Sequence, residues 1–188
     1  MRQLSRSLET RDTCLRKLSR TVVSKLRQLS HVKEYGVEMS EEKISSILSG
    51  ISGEYFVAAE LSRRGFIATL TLKNTRGVDI LASDEKAKDT LAIQVKTTKN
   101  NKNEWVLNEK SETFVSEKHY YVFVRLNALG ELPTYHIVSS KEVAKYIKTT
   151  HQEWLNTPGK KGNAHKDNSM RKFRDDENKY KDRWDLLK

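Results

Sequence analysis

The sequence is poor in the features that mark secreted, membrane-spanning or zinc-stapled proteins. It has one cysteine, Cys14, among 188 residues, so no internal disulfide can form and nothing points to an oxidising compartment. Its five histidines, His31, His119, His136, His151 and His165, show no metal-ligand spacing, which with a lone cysteine argues against zinc. No apolar run approaches the roughly 18 residues of a spanning helix. The N-terminus lacks the apolar core of a signal peptide. These absences make a cytoplasmic protein with no membrane span the expectation. Gly-rich phosphate loops and nucleophile elbows are also missing, so no small-molecule cofactor is implied.

Hydrophobic residues make up only 36% of the chain and charged residues 32%. The apolar residues concentrate in the middle and thin out at both ends. The length suits one domain with appendages. The net charge is +10 and the pI about 9.6, which favours an anionic partner, with nucleic acid first and an acidic membrane surface second. A solvated basic surface is the ordinary alternative.

Residues 1–30 place Leu4, Leu8, Leu15, Leu18, Val22, Leu26 and Leu29 on one helical stripe, with a basic face opposite. Residues 1–38 hold nine basic and four acidic side chains, a net of +5, and read as a basic helical extension. Such a helix could grip DNA, lie on a membrane, dimerise, or pack its stripe on the domain. Met39 opens MSEEKISSIL, which would itself begin a protein. A chain starting at Met39 is therefore expected to fold and keep its activity, and loss of either would refute that reading.

Residues 39–150 read as an α/β core and 151–188 as a basic tail that docks on it. Ser40 caps a helix carrying Ile44, Ile47, Leu48 and Ile51, with a pause expected at Ser49-Gly50 or Ser52-Gly53. A second helical pattern then runs to Arg63-Arg64-Gly65. Strands are expected over 66–72, 78–82, 91–97, 119–126 and 134–138, the HYYVFVRL run being central. A short helix is expected over 109–117, and another opening at Ser139. Residues 156–178 look like an exposed loop, after which Trp184, Leu186 and Leu187 return to the core. The result is a mixed central β-sheet flanked by helices, with the first three strands antiparallel and the fourth entering after a crossover.

The chemistry concentrates between Gly53 and Lys99. Asp79 lies at a strand end in Gly77-Val78-Asp79-Ile80, and Gln94-Val95-Lys96 follows about fifteen residues later on the next strand. Strand periodicity puts Gln94 and Lys96 on one face and Val95 on the other. Hydrolysing a phosphodiester needs an activated water and neutralised charge on the phosphate, which Mg²⁺ bound by oxygen ligands can provide. A lysine can orient the water or hold the phosphate. Each residue also has an ordinary reading: a turn-forming Asp, a polar Gln on a strand, one Lys of many, and Glu54 as a first-turn helix acid. The combination is less common than its parts.

This segment resembles the PD-(D/E)xK nuclease superfamily, the restriction endonuclease-like fold shared with Holliday-junction resolvases, over roughly residues 50–140. The matching residues are Glu54 in the first core helix, Asp79 in GVDI, and Gln94 and Lys96 in IQVK. The resemblance implies that Glu54, Asp79, Gln94 and the Val95 carbonyl hold Mg²⁺, with Mn²⁺ as a substitute, and that Lys96 assists the attacking water. Val78 stands where the motif has proline. Gln94 stands where many members have a carboxylate, a QxK version similar to Mrr-type restriction enzymes, and Glu54 would then supply the missing charge.

The expected activity is Mg²⁺-dependent endonucleolytic hydrolysis of DNA, duplex or branched, in restriction, phage defence or repair. Lys73, Arg76, Lys99 and Lys102 flank the site as phosphate contacts. A homodimer would allow both strands to be cut. The alternative is a catalytically inactive nucleic-acid-binding module on the same fold. Trp105, Tyr120 and Tyr121 could stack on bases, although core packing suits them better. Lys160, Lys161, Lys166, Arg171, Lys172 and Arg174 form either a second basic patch or a solvated loop.

Overall fold

The computed structural model describes residues 44–72, 77–99, 101–159 and 162–187. The basic N-terminal stripe, the Ser40 cap, Lys73, Arg76, Lys160 and Lys161 lie outside them.

Helix α1 spans Ser46–Arg63, with the Ser45 hydroxyl accepting the Leu48 N–H at 3.2 Å. The expected pause at Ser49-Gly50 or Ser52-Gly53 does not occur. Ser49 and Ser52 turn their hydroxyls back onto the carbonyls of Ser45 and Leu48, at 3.1 and 2.8 Å. Tertiary packing then outweighs the low helix propensity of the glycines. Ser49, Gly53, Val57 and Leu61 recur every four residues and form the buried face.

Five strands make the main sheet: β1 (Ile67–Leu70), β2 (Ile80–Ser83), β3 (Thr90–Thr98), β5 (His119–Arg125) and β6 (Thr134–Ser139). Their spatial order is β1-β2-β3-β5-β6. The pairs β1–β2 and β2–β3 are antiparallel, as expected, β3–β5 is parallel and β5–β6 antiparallel. The crossover from β3 to β5 passes through β4 (Glu104–Asn108) and a single 3₁₀ turn, Glu109–Glu112. That turn replaces the short helix expected over 109–117. Helix α2 (Ser140–Asn156) follows β6, with the Ser139 hydroxyl accepting the Glu142 N–H at 3.3 Å.

One stretch differs from its sequence reading. Residues 156–178 contain β7 (Met170–Arg174), which pairs antiparallel with β4 in a separate ribbon. Only Met170 and Phe173 break the polar run, so the strand has almost no hydrophobic signature. Arg171, counted with the exposed basic residues, is buried and ion-paired with Glu112. Lys172 and Arg174 both pair with Glu104 across the ribbon.

The sheet carries a core on each face. On one, Val57 and Leu61 of α1 meet Ile80, Ile93, Val95, Val122 and Ile137, joined by Trp184 and Leu187 from the tail. On the other, Trp105, Tyr121, Phe123 and Phe173 pack with Val143 and Ile147 of α2. Tyr121 and Phe123 stack at 5.6 Å, and Phe123 and Phe173 at 4.4 Å. Such pairs add about 0.5–1.5 kcal/mol each beyond their buried area. Among the described residues no helix is long and apolar enough to cross a membrane.

Candidate active site

Asp79 stands one residue before β2, whose first rung pairs Ile80 with Ile93. Its N–H donates to the Ile93 carbonyl at 2.8 Å. Its carboxylate oxygen Oδ2 accepts the Val95 N–H at 2.7 Å. The carboxylate thus occupies the place where the next strand rung would form. Because a strand residue directs its N–H and C=O to the same neighbour, the Val95 carbonyl points to the Asp79 side as well.

Alternation along β3 buries Leu91, Ile93 and Val95 in the α1-side core and leaves Gln94 and Lys96 half-buried on the opposite face. There they line an open cleft of about 620 Å³ with Gly77, Asn108, Lys110, Ser111, Thr113, Phe114 and Tyr121. Neither Lys96 nor Lys110 belongs to the ion pairs found among the described residues. The sequence reading did not include Lys110. It comes into place only through the crossover turn, anchored where Asn108 caps the Lys110 N–H at 3.1 Å and where Glu112 meets the buried Arg171.

Glu54 does not line this cleft. It follows Gly53, which packs on Thr97 from the α1 side of β3; a Cβ at Gly53 would lie 1.9 Å from Thr97 Oγ1. The structure therefore bonds Asp79 to Val95 and puts Gln94 and Lys96 in the adjoining cleft, while Glu54 follows Gly53 on α1. Among the described residues no three His, Cys, Asp or Glu side chains are grouped closely enough to hold a metal ion. The available donors at Asp79 are a carboxylate, an amide oxygen and a backbone carbonyl. That all-oxygen set fits Mg²⁺, which keeps several waters and needs few protein ligands.

Two residues outside the sequence reading of the site hold the Asp79 turn in place. His119 opens β5, is buried, and donates from Nε2 to the Gly77 carbonyl at 2.9 Å. Phe114 meets His119 edge-on at 4.7 Å and covers Gly77. Gly77 has φ +68°, and a Cβ there would lie 2.8 Å from the Phe114 ring, so both conformation and space call for glycine. A histidine leading the most apolar run was the available sequence signal for this clamp.

Burial pushes the His119 imidazole below its ordinary value, against the raising effect of the Gly77 carbonyl. Burial does the same to His136, whose Nδ1 lies 2.6 Å from Asp175. Below about pH 6.5 the unfolded chain takes up protons at both rings before the folded protein does. Stability is thus fully present above that pH and falls as pH drops toward 5, by up to roughly 1.4 kcal/mol per pH unit for each ring. Thermal unfolding followed between pH 8 and pH 5 checks this; a melting temperature unchanged across that window would contradict it.

Of the flanking lysines, Lys99 is exposed and its ammonium donates to the Ile44 carbonyl. Lys102 is exposed in the loop before β4. Trp105 and Tyr121 are buried in the aromatic core, and the Trp105 indole donates to the Val124 carbonyl at 2.9 Å.

A single helix on one face, an antiparallel three-strand meander and a parallel crossover strand make a mixed α/β core, in which Asp79 is bonded to the strand that carries the Gln94–Lys96 triplet. No protein-family model matches the sequence, and no curated protein does. Among solved structures, the chain is similar to a Holliday junction resolvase from Archaeoglobus fulgidus. The identity is 16%, over 67% of this chain and 84% of that one, with a TM-score of 0.40. It is also similar to a bacterial homing endonuclease, at 13% identity over 76% of this chain and 91% of that one, with a TM-score of 0.45.

Proposed function

We propose that this protein is a metal-dependent endonuclease that hydrolyses phosphodiester bonds of DNA. The observation that carries the reading is the Asp79 carboxylate bonded across the strand gap to Val95, between Gln94 and Lys96. Asp79, the Gln94 amide oxygen and the Val95 carbonyl would hold Mg²⁺, or Mn²⁺ in its place. A bound Mg²⁺ supplies a more acidic water and charge neutralisation on the phosphate. Lys96, on the same face as Gln94, orients the attacking water or holds a non-bridging phosphate oxygen. Lys110 faces the same cleft and adds positive potential along the strand's path. The +10 net charge favours the polyanion throughout.

Incubating supercoiled plasmid and branched DNA with the protein and Mg²⁺ or Mn²⁺ tests the proposal. Nicked or linear products that disappear with a chelator are expected. A second reading is favoured by a specific observation: Gln94 is neutral, and among the described residues no three His, Cys, Asp or Glu side chains cluster to hold a metal ion. On that reading the protein is a nucleic-acid-binding module on the same fold. It would bind with steep salt dependence and leave DNA intact with either metal.

A further inference from the structure

The hydroxyl of Tyr121 has no evident structural use. The residue is fully buried, and its ring stacks on Phe123, so phenylalanine would serve the packing equally well. Yet the phenol oxygen is buried, and among the described residues it makes no well-formed hydrogen bond, only a weak interaction with the Ser111 side chain. Such groups are rare in folded proteins and mark positions where a further partner arrives. Tyr121 lines the cleft, and in the β3–β5 ladder its register partner is Gln94. The two side chains rise side by side from neighbouring strands on the same face.

Gln94 raises a matching problem. A side-chain amide has a donor end and an acceptor end, and only the oxygen can bind a cation. A carboxylate at this position would have no wrong end. We propose that Tyr121 is a positioning residue for Gln94: when the Gln94 amide turns its oxygen toward Asp79 and the metal, its N–H turns toward the Tyr121 hydroxyl, which accepts it. The inference rests on the metal-dependent reading above. It gives that hydroxyl a role, and it explains how a neutral amide can serve where orientation decides whether it binds at all.

The test uses the full chain and Mn²⁺ binding measured by calorimetry, beside thermal unfolding without metal. Tyr121→Phe is expected to unfold at the wild-type temperature or higher, because it removes a poorly satisfied buried group. Its Mn²⁺ affinity is expected to fall 10- to 100-fold. In a Gln94→Glu background the same substitution is expected to change affinity less than twofold, since a carboxylate needs no such orientation. Unchanged or tighter Mn²⁺ binding by Tyr121→Phe overturns the inference, as does an equal loss in the Gln94→Glu background. Asp79→Ala separates the two levels: if it binds Mn²⁺ like the wild type, the metal-dependent reading itself fails. If it loses binding and Tyr121→Phe does not, only the role of Tyr121 fails.

Discussion

Asp79→Asn is expected to lower Mg²⁺-dependent cleavage of plasmid DNA at least about a thousandfold, close to 4 kcal/mol of transition-state stabilisation, with the melting temperature nearly unchanged. The substitution isolates charge. Asparagine keeps an oxygen of the same reach, so the 2.7 Å bond from the Val95 N–H can persist. What it removes is the one carboxylate among the donors at this point. Asp79→Ala is expected to lose as much activity and to cost about 1–3 kcal/mol of stability besides, because Val95 is left without its acceptor. Lys96→Ala is expected to abolish cleavage with the fold intact, since its ammonium joins no ion pair among the described residues. Cleavage by Asp79→Asn at the wild-type rate would remove the catalytic assignment. Absence of cleavage by the wild type with either metal, beside salt-sensitive DNA binding, would instead favour the binding-module reading.

Gly53→Val should be the most damaging single change on α1, with a loss of stability above about 3 kcal/mol. The argument is one of space. The Cβ of any larger residue would lie 1.9 Å from Thr97 Oγ1 and 3.0 Å from Thr97 Cβ. No rotamer of Val avoids that first contact, so either Thr97 must turn or the helix must lift from β3. Lifting it opens the core that Val57 and Leu61 form with Ile93 and Val95. The distortion falls on the strand that carries Gln94 and Lys96, so activity should decline with stability. Gly53→Ala is expected to cost less, about 1–3 kcal/mol, and Thr97→Ala in the same chain should restore part of it. Chemical denaturation of the single and double variants measures the coupling. A Gly53→Val protein as stable as the wild type would show that Thr97 is free to turn or α1 to shift.

Elements with a strong periodic pattern are legible in the amino-acid order alone. The β3 segment alternates apolar and polar residues from Ile93 to Lys96. The β5 segment is continuously apolar because both of its faces are covered. The β2–β3 hairpin is readable from its polar Ser83–Asp89 loop, and the hairpin is what makes Asp79 a neighbour of the Gln94–Lys96 triplet. Strand β7 is not readable, because its burial depends on partners distant in sequence. Arg171 is buried only because Glu112 meets it, and Phe173 is one aromatic residue in a polar run. The uninterrupted α1 is obscured by serines and glycines that locally suggest a break. Their use is tertiary, since Gly53 is small where helix and strand touch.

By itself the sequence determined the alternation of strands and helices, the antiparallel start of the sheet, and which face of β3 carries Gln94 and Lys96. These follow from local periodicity and short connections, which a single chain encodes directly. Only the tertiary structure decided which distant groups share the cleft. It brought Lys110 in on the crossover turn and set Tyr121 beside Gln94. It also clamped the Asp79 turn with His119 and Phe114. Those relations depend on strand order and on which face each helix covers. Both are fixed by packing among residues far apart in the chain, and local pattern carries no record of it.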